Sequence, residues 1–94
     1  MTATVPQPDP DWAESAACAG HPYPELWFPE DRTDRALSAK RICIGCDVRR
    51  DCGLATVIRD RRHGVWAGYR VDQRGGWLRL HDFLGLPRPQ GPRR

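Results

Sequence analysis

Long apolar stretches, strand-forming runs and, over the first third, positive charge are all missing from this 94-residue chain. No segment approaches the ~20 consecutive apolar residues that span a bilayer, which excludes a helical membrane span. The opening MTATVPQPDPDW has neither a basic leader nor an apolar core of the kind that directs export, so a cytoplasmic protein is expected. Alternating apolar and polar residues are nearly absent, with VWAGY at 65–69 the one brief strand candidate, and a β-sandwich or barrel is therefore excluded. Apolar material is thin overall, at 39% hydrophobic residues and a mean hydropathy of −0.67. A chain this short buries only roughly 60–65% of its unfolded surface, and its core alone seldom supplies more than ~3–5 kcal/mol. The four cysteines are the first candidates for the missing stability. Where thiols are kept reduced, clustered cysteines point to a metal centre or to catalysis rather than to a disulfide framework.

Charge is divided along the chain. Met1–Asp31 carries six acids and no Lys or Arg, whereas Arg32–Arg94 carries 15 basic residues against six acids. Such asymmetry gives two differently charged surfaces, one of them suited to an acidic partner. Proline is divided too: six lie between Pro6 and Pro29, three between Pro87 and Pro92, and none from 30 to 86. Helices are expected in that middle stretch. Residues 1–8 and 87–94 lack any period and are expected to be a mobile N-terminal tail and a basic Pro/Arg tail flanking a single domain at 9–86.

Within that domain the fold expected is mostly α, with about four short helices. Asp9 before Pro10 predicts a helix over about 10–18, bearing Trp12 and ending at Cys18 and Gly20. Asp31 or Thr33 can cap a second, in which Ala36, Leu37, Lys40, Arg41 and Ile42 form a stripe leading to Cys43. A third, from about Val48 to Asp60, places Val48, Cys52, Ala55 and Ile58 on one face, with Asp47 and Asp51 capping it. A fourth, capped by Asp72, would carry Trp77, Leu80, Phe83 and Leu84, with a short or frayed start because Gly75 and Gly76 each cost ~1 kcal/mol relative to Ala.

Cys18, Cys43, Cys46 and Cys52 are spaced C-x24-C-x2-C-x5-C. Gly45 permits the tight turn that lets Cys43 and Cys46 converge on one centre. Thiolate ligands alone select zinc or iron–sulfur clusters, and this spacing matches neither the paired zinc pattern nor the ferredoxin patterns, so both remain open. Lys40, Arg41, Arg49 and Arg50 flank the trio and are expected to lower the thiol pKa values. His21, His63 and His81 are not needed as ligands beside four cysteines.

This cysteine pattern, followed by Gly64-Val65-Trp66-Ala67-Gly68, resembles the WhiB-like family of actinobacteria and their phages. Pro24-Glu25-Leu26-Trp27-Phe28-Pro29 resembles the family's PELFFP stretch, and Trp12 stands six residues ahead of the first cysteine, as in the family. The likeness runs from Trp12 to about Arg70. It implies a redox- or nitric-oxide-responsive transcription factor, not an enzyme, holding one [4Fe-4S] cluster on Cys18, Cys43, Cys46 and Cys52. It also implies docking, as a monomer, on domain 4 of the principal sigma factor of RNA polymerase at promoter DNA. Trp12, Trp27, Phe28, Pro29, Gly64, Val65, Trp66 and Gly68 are the residues expected around the cluster and against the sigma factor.

Two departures stand out. Ala67 replaces a glycine of the family's G-[VI]-W-G-G, a change a turn accepts if that residue's φ is negative. The 87–94 tail has the flavour of an AT-hook without its RGRP core. Arg59, Arg61, Arg62 and Arg70, and further on Arg74, Arg79, Arg88, Arg93 and Arg94, are candidates for phosphate contact, the last five carrying the DNA-binding expectation. The competing readings are a zinc-stabilised DNA-binding or adaptor module and a thiol-disulfide reductase using Cys43-Ile44-Gly45-Cys46. The second lacks the βαβ setting of a thioredoxin-like CxxC.

Overall fold

The computed structural model describes residues 6–28 and 36–89. Two single turns of 3-10 helix, Trp12–Ser15 and Pro24–Trp27, precede α1 (Ala36–Ile44) and α2 (Arg49–Ile58). A minimal antiparallel hairpin, β1 (Val65–Trp66) with β2 (Tyr69–Arg70), then leads to α3 (Arg74–Leu84). The domain is mostly helical, as expected. The helix foreseen over 10–18 is, however, only a turn. Ala16 goes extended at ψ 139°, and the Ala17 amide donates to the Cys46 sulfur at 3.3 Å instead of to a helical carbonyl. The proposed caps Asp31 and Thr33 lie outside the described residues.

Two small cores form. Leu54, Ala67, Val71, Trp77, Leu80 and Leu84 knit α2, the hairpin and α3 together, while Trp27, Ala39, Cys43 and Val65 join the Pro24–Trp27 turn and α1 to β1. The first core contains no cysteine among its buried residues; the second is built around one. On α1 the inward face is Ala39 and Cys43, one turn apart, and Leu37 of the anticipated stripe is 46% exposed. On α2 the buried residues run Gly53 to Thr56 and Ile58 stays outside, because the helix rolls toward α3. Gly53 allows that approach, with Leu80 and Leu84 methyl carbons each 3.1 Å from where a Cβ would stand.

None of the expected aspartates Asp47, Asp51 and Asp72 is the N-cap residue of its helix, although Asp51 does lie in the first turn of α2, at the positive end of its dipole. The N-cap residues are Val48 for α2 and Gln73 for α3, neither with a side-chain cap bond. Asp72 instead holds the buried Arg70 guanidinium at 3.1 Å, a stronger claim on a carboxylate than a helix amide. Nor does the diglycine shorten α3, which at 11 residues is the longest helix described. Gly76 is where α3 passes against the Arg70 backbone. At the other end Gly85, at φ 74°, closes a Schellman motif: its amide donates to Asp82 O at 3.1 Å and the Leu86 amide to His81 O at 3.0 Å. Arg50 satisfies the Leu84 carbonyl at 3.2 Å.

Candidate metal centre

Each cysteine reaches the centre by a local device. Cys43 follows Ala39 on the inner face of α1 and is 8% exposed. The Cys46 amide then bonds back to Cys43 O at 3.0 Å, folding the chain so that the second thiol trails the first. Cys52 lies one turn into α2, its amide on Val48 O at 2.9 Å. Cys18 arrives on a turn closed by His21 N–H to Cys18 O at 3.1 Å, with Gly20 at φ 71°. Cys18, Cys43 and Cys52 share one cavity of about 140 Å³ with Pro24, Trp27, Phe28, Val65 and Trp66. Cys46 sits beside them, on the Ala17 amide next to Cys18.

Two of the four sulfurs accept a hydrogen bond from an N–H donor. The Trp27 indole donates to Cys43 Sγ at 3.3 Å and the Ala17 amide to Cys46 Sγ at 3.3 Å. Electrostatically the thiols also feel one another. Burial pushes the Cys52 thiol up to about 12, the nearby Ala67 backbone opposes this, and the neighbouring Cys43, Cys18 and Cys46 add to the rise. Burial, then the Cys43 thiol, raises Cys18 as well. The expected lowering by flanking cations therefore does not hold at these two sites. Arg49 and Arg50 are committed elsewhere, Arg49 to Ala67 O at 2.9 Å and to the Phe83 ring at 4.2 Å, and Arg50 to Leu84 O.

The donor set fits a thiolate-ligated cluster. Three soft sulfurs line an apolar hollow and the fourth lies beside it, the all-thiolate set that such a cluster takes. In metal-free protein the same burial ties stability to alkali. The Cys52 thiol titrates near 9.0 when unfolded and about 12 when folded. Its contribution is thus complete below the unfolded value and lost as pH climbs through the folded one. Urea midpoints of the apo protein are expected to fall between about pH 8 and about pH 10.5, and a flat profile across that window would show that Cys52 is not buried as described.

The hairpin supplies one wall of the cavity. Its two-residue loop, Ala67 and Gly68, has φ 55° and 88°, both positive as a type I′ turn requires. The condition placed on Ala67 is thus not met: alanine occupies a left-handed position. Its methyl is buried in the α2–α3 core at 1% exposure, which offsets part of the strain. Gly64, at φ 90°, admits no side chain, since a Cβ would stand 2.6 Å from Trp27 O and 2.7 Å from the Phe28 ring. That gap lets Phe28 stack on His63 at 5.6 Å and meet Trp66 edge-on at 6.1 Å. Trp66 is oriented by its indole bond to His63 O at 2.7 Å, with Arg61 over its ring at 4.9 Å. Phe28 remains 40% exposed beside the cavity, whereas Trp27 is buried.

The structure separates some residues that the sequence grouped. Trp12 lines a different cavity, with Pro10, Ala55, Ile58 and Arg59. Pro29, Arg93 and Arg94 lie outside the described residues. Arg74 and Arg79 are exposed on α3, but Arg88 forks onto Asp82 at 2.9 and 2.6 Å and Arg70 is buried with Asp72. Pro24 as a wall, Ala17 as a sulfur donor and Arg49 as the clamp on the hairpin were not foreseen. Arg49 gave no signal, since its partners lie 18 to 34 residues away; Pro24 stood in a motif already quoted.

A family model described as transcription factor WhiB matches residues 12–76. The chain is 36% identical over 69 residues to transcriptional regulator WhiB2 of Mycobacterium tuberculosis, covering 73% of this chain and 75% of that protein. It is 36% identical over 63 residues to transcriptional regulator WhiB of Streptomyces coelicolor, covering 67% and 70%. Over 71 residues it is 40% identical to WhiB2 of Mycolicibacterium smegmatis, covering 74% of this chain and 54% of that one. No solved structure matches. The matched span takes in all four cysteines, the aromatic turn and the hairpin, and the chain belongs to the WhiB family of transcription factors.

Proposed function

We propose that this regulator holds one [4Fe-4S] cluster on Cys18, Cys43, Cys46 and Cys52 and binds domain 4 of the principal sigma factor at promoters, as a cytoplasmic monomer. The observation that carries the reading is three thiols from separate segments lining one apolar hollow, with the fourth, Cys46, beside it on the Ala17 amide next to Cys18. Such a group supplies a centre reactive toward oxygen and nitric oxide. The chain's part is to hold it between its two cores, so that releasing the sulfurs frees α1 and the aromatic turn from the hairpin.

One observation bears on the alternatives. Against a reductase, Cys43 is buried under Trp27, out of reach of a disulfide substrate. No helix among the described residues is long and apolar enough to cross a membrane.

Phe28 and Trp66, with Tyr23 59% exposed nearby in sequence, form the face offered to the sigma factor. Aromatic anchors of this kind carry most of an interface's energy. Phosphate contact falls to Arg74 and Arg79, with Arg93 and Arg94, while Arg88 is held by its aspartate. Phe28→Ser is expected to weaken binding to a sigma domain 4 fragment by at least about tenfold, with cluster absorbance retained. Trp12→Ala, on the other cavity, should leave that affinity near wild type. Unchanged binding by Phe28→Ser would remove the aromatic face from the interface.

A further inference from the structure

Trp27 presents a side-chain donor to a cysteine sulfur, whereas the donor to Cys46 is the Ala17 backbone amide. Its indole is 6% exposed and Cys43 8%, so water cannot stand in for the N–H if it is removed. The ring is held in place. It ends the Pro24–Trp27 turn, His21 meets it edge-on at 5.0 Å, and Ala39 and Val65 complete its surroundings. Burial alone does not create such a bond in this chain, because the Trp77 indole N–H, equally buried, has no partner. The PELFFP stretch that this segment resembles has phenylalanine at the corresponding place, which packs as a ring and donates nothing.

We infer that Trp27 is a positioning residue that sets the electron affinity of the centre by donating its indole N–H to the Cys43 sulfur. A donor aimed at a ligating thiolate withdraws charge and favours the more negative, reduced state, and hydrogen bonds to sulfur are among the levers that set such potentials. Removing the donor shifts the reduction potential downward. The electron concerned comes from the titrant, dithionite; no bond is made or broken in the protein and no proton moves. This inference rests on the cluster reading above.

The test is an anaerobic dithionite titration of the intact protein, read by absorbance, for wild type, Trp27→Phe, and a variant carrying benzothienylalanine at position 27. The last keeps the ring's shape and removes only the N–H, so it separates hydrogen bonding from packing. Both variants are expected to move the midpoint negative, by about threefold to tenfold in the equilibrium with the titrant, the equivalent of one ordinary hydrogen bond. A shift with phenylalanine but none with benzothienylalanine would assign the effect to packing and overturn the inference. So would no shift in either. A wild-type protein with no chromophore and no iron would instead overturn the cluster reading, and this inference with it.

Discussion

Cys46→Ala is expected to give a colourless protein that has lost about a third of its helical ellipticity, the share of the 9 residues of α1 beside the 10 and 11 of α2 and α3. Cys46 is the cleanest of the four cysteines for this test. It is partly exposed and lies outside both cores. Its loss therefore removes a ligand without opening a cavity, whereas Cys43→Ala would do both. With three thiols left, the group that joins α1 to the hairpin is not held. The second core, four buried residues including Cys43, is too small to keep α1 in place by itself. The first core is complete without the centre, so α2 and α3 stay folded. Anaerobic absorbance and far-ultraviolet circular dichroism read the two effects separately. Retained colour would deny Cys46 its role as a ligand, and full ellipticity in colourless protein would deny the centre its role as a staple.

Gly76→Ala is expected to be strongly destabilising, while Gly75→Ala, one residue earlier, stabilises the protein. At Gly76 a Cβ would overlap the Arg70 carbonyl oxygen and lie 2.9 Å from the carbonyl carbon and 3.2 Å from the Arg70 nitrogen. All three are backbone atoms of β2, and Arg70 is fixed by its buried pairing with Asp72. Relief requires moving α3 off the hairpin, which exposes Trp77 and Leu80; a loss of about 3 kcal/mol or more follows. At Gly75 nothing stands within 4 Å of the added methyl. The helix then gains up to about 1 kcal/mol, mainly because the unfolded chain has fewer conformations to lose. Urea unfolding of the two variants beside wild type measures both signs. Equal effects would mean that α3 does not pass against Arg70.

The sequence made the chemistry legible and the packing only partly so. Four cysteines in a thin apolar background, the aromatic pair between prolines and the glycines around Trp66 all pointed at one site, and three of those cysteines do share a cavity with Trp27, Phe28 and Trp66. Helix spacing found α2 and α3, because their apolar residues recur over three turns. It failed at 10–18, where a hydrogen bond to Cys46, 29 positions along the chain, outweighs local helix preference. Gly75-Gly76 illustrates the same limit. Propensity assigns both glycines one cost, yet the first is in the open and the second lets a helix touch a strand. Ala67 is the reverse case. A residue type that argues for negative φ sits at 55° because its methyl fills a buried space between Gly53 and the turn. Asp72, a credible cap by sequence, is taken by an arginine two residues away. Except for Asp72, whose partner is local, the deciding neighbour is a tertiary one that no local pattern names.

The central claim is that the four cysteines hold one multi-iron cluster. Anaerobic purification of the whole chain, followed by metal and acid-labile sulfide analysis and an absorbance spectrum, tests it most directly. The account predicts four irons and four sulfides per chain with a broad band near about 400 nm, lost together when air or nitric oxide is admitted. One zinc per chain, no sulfide and no colour would contradict it.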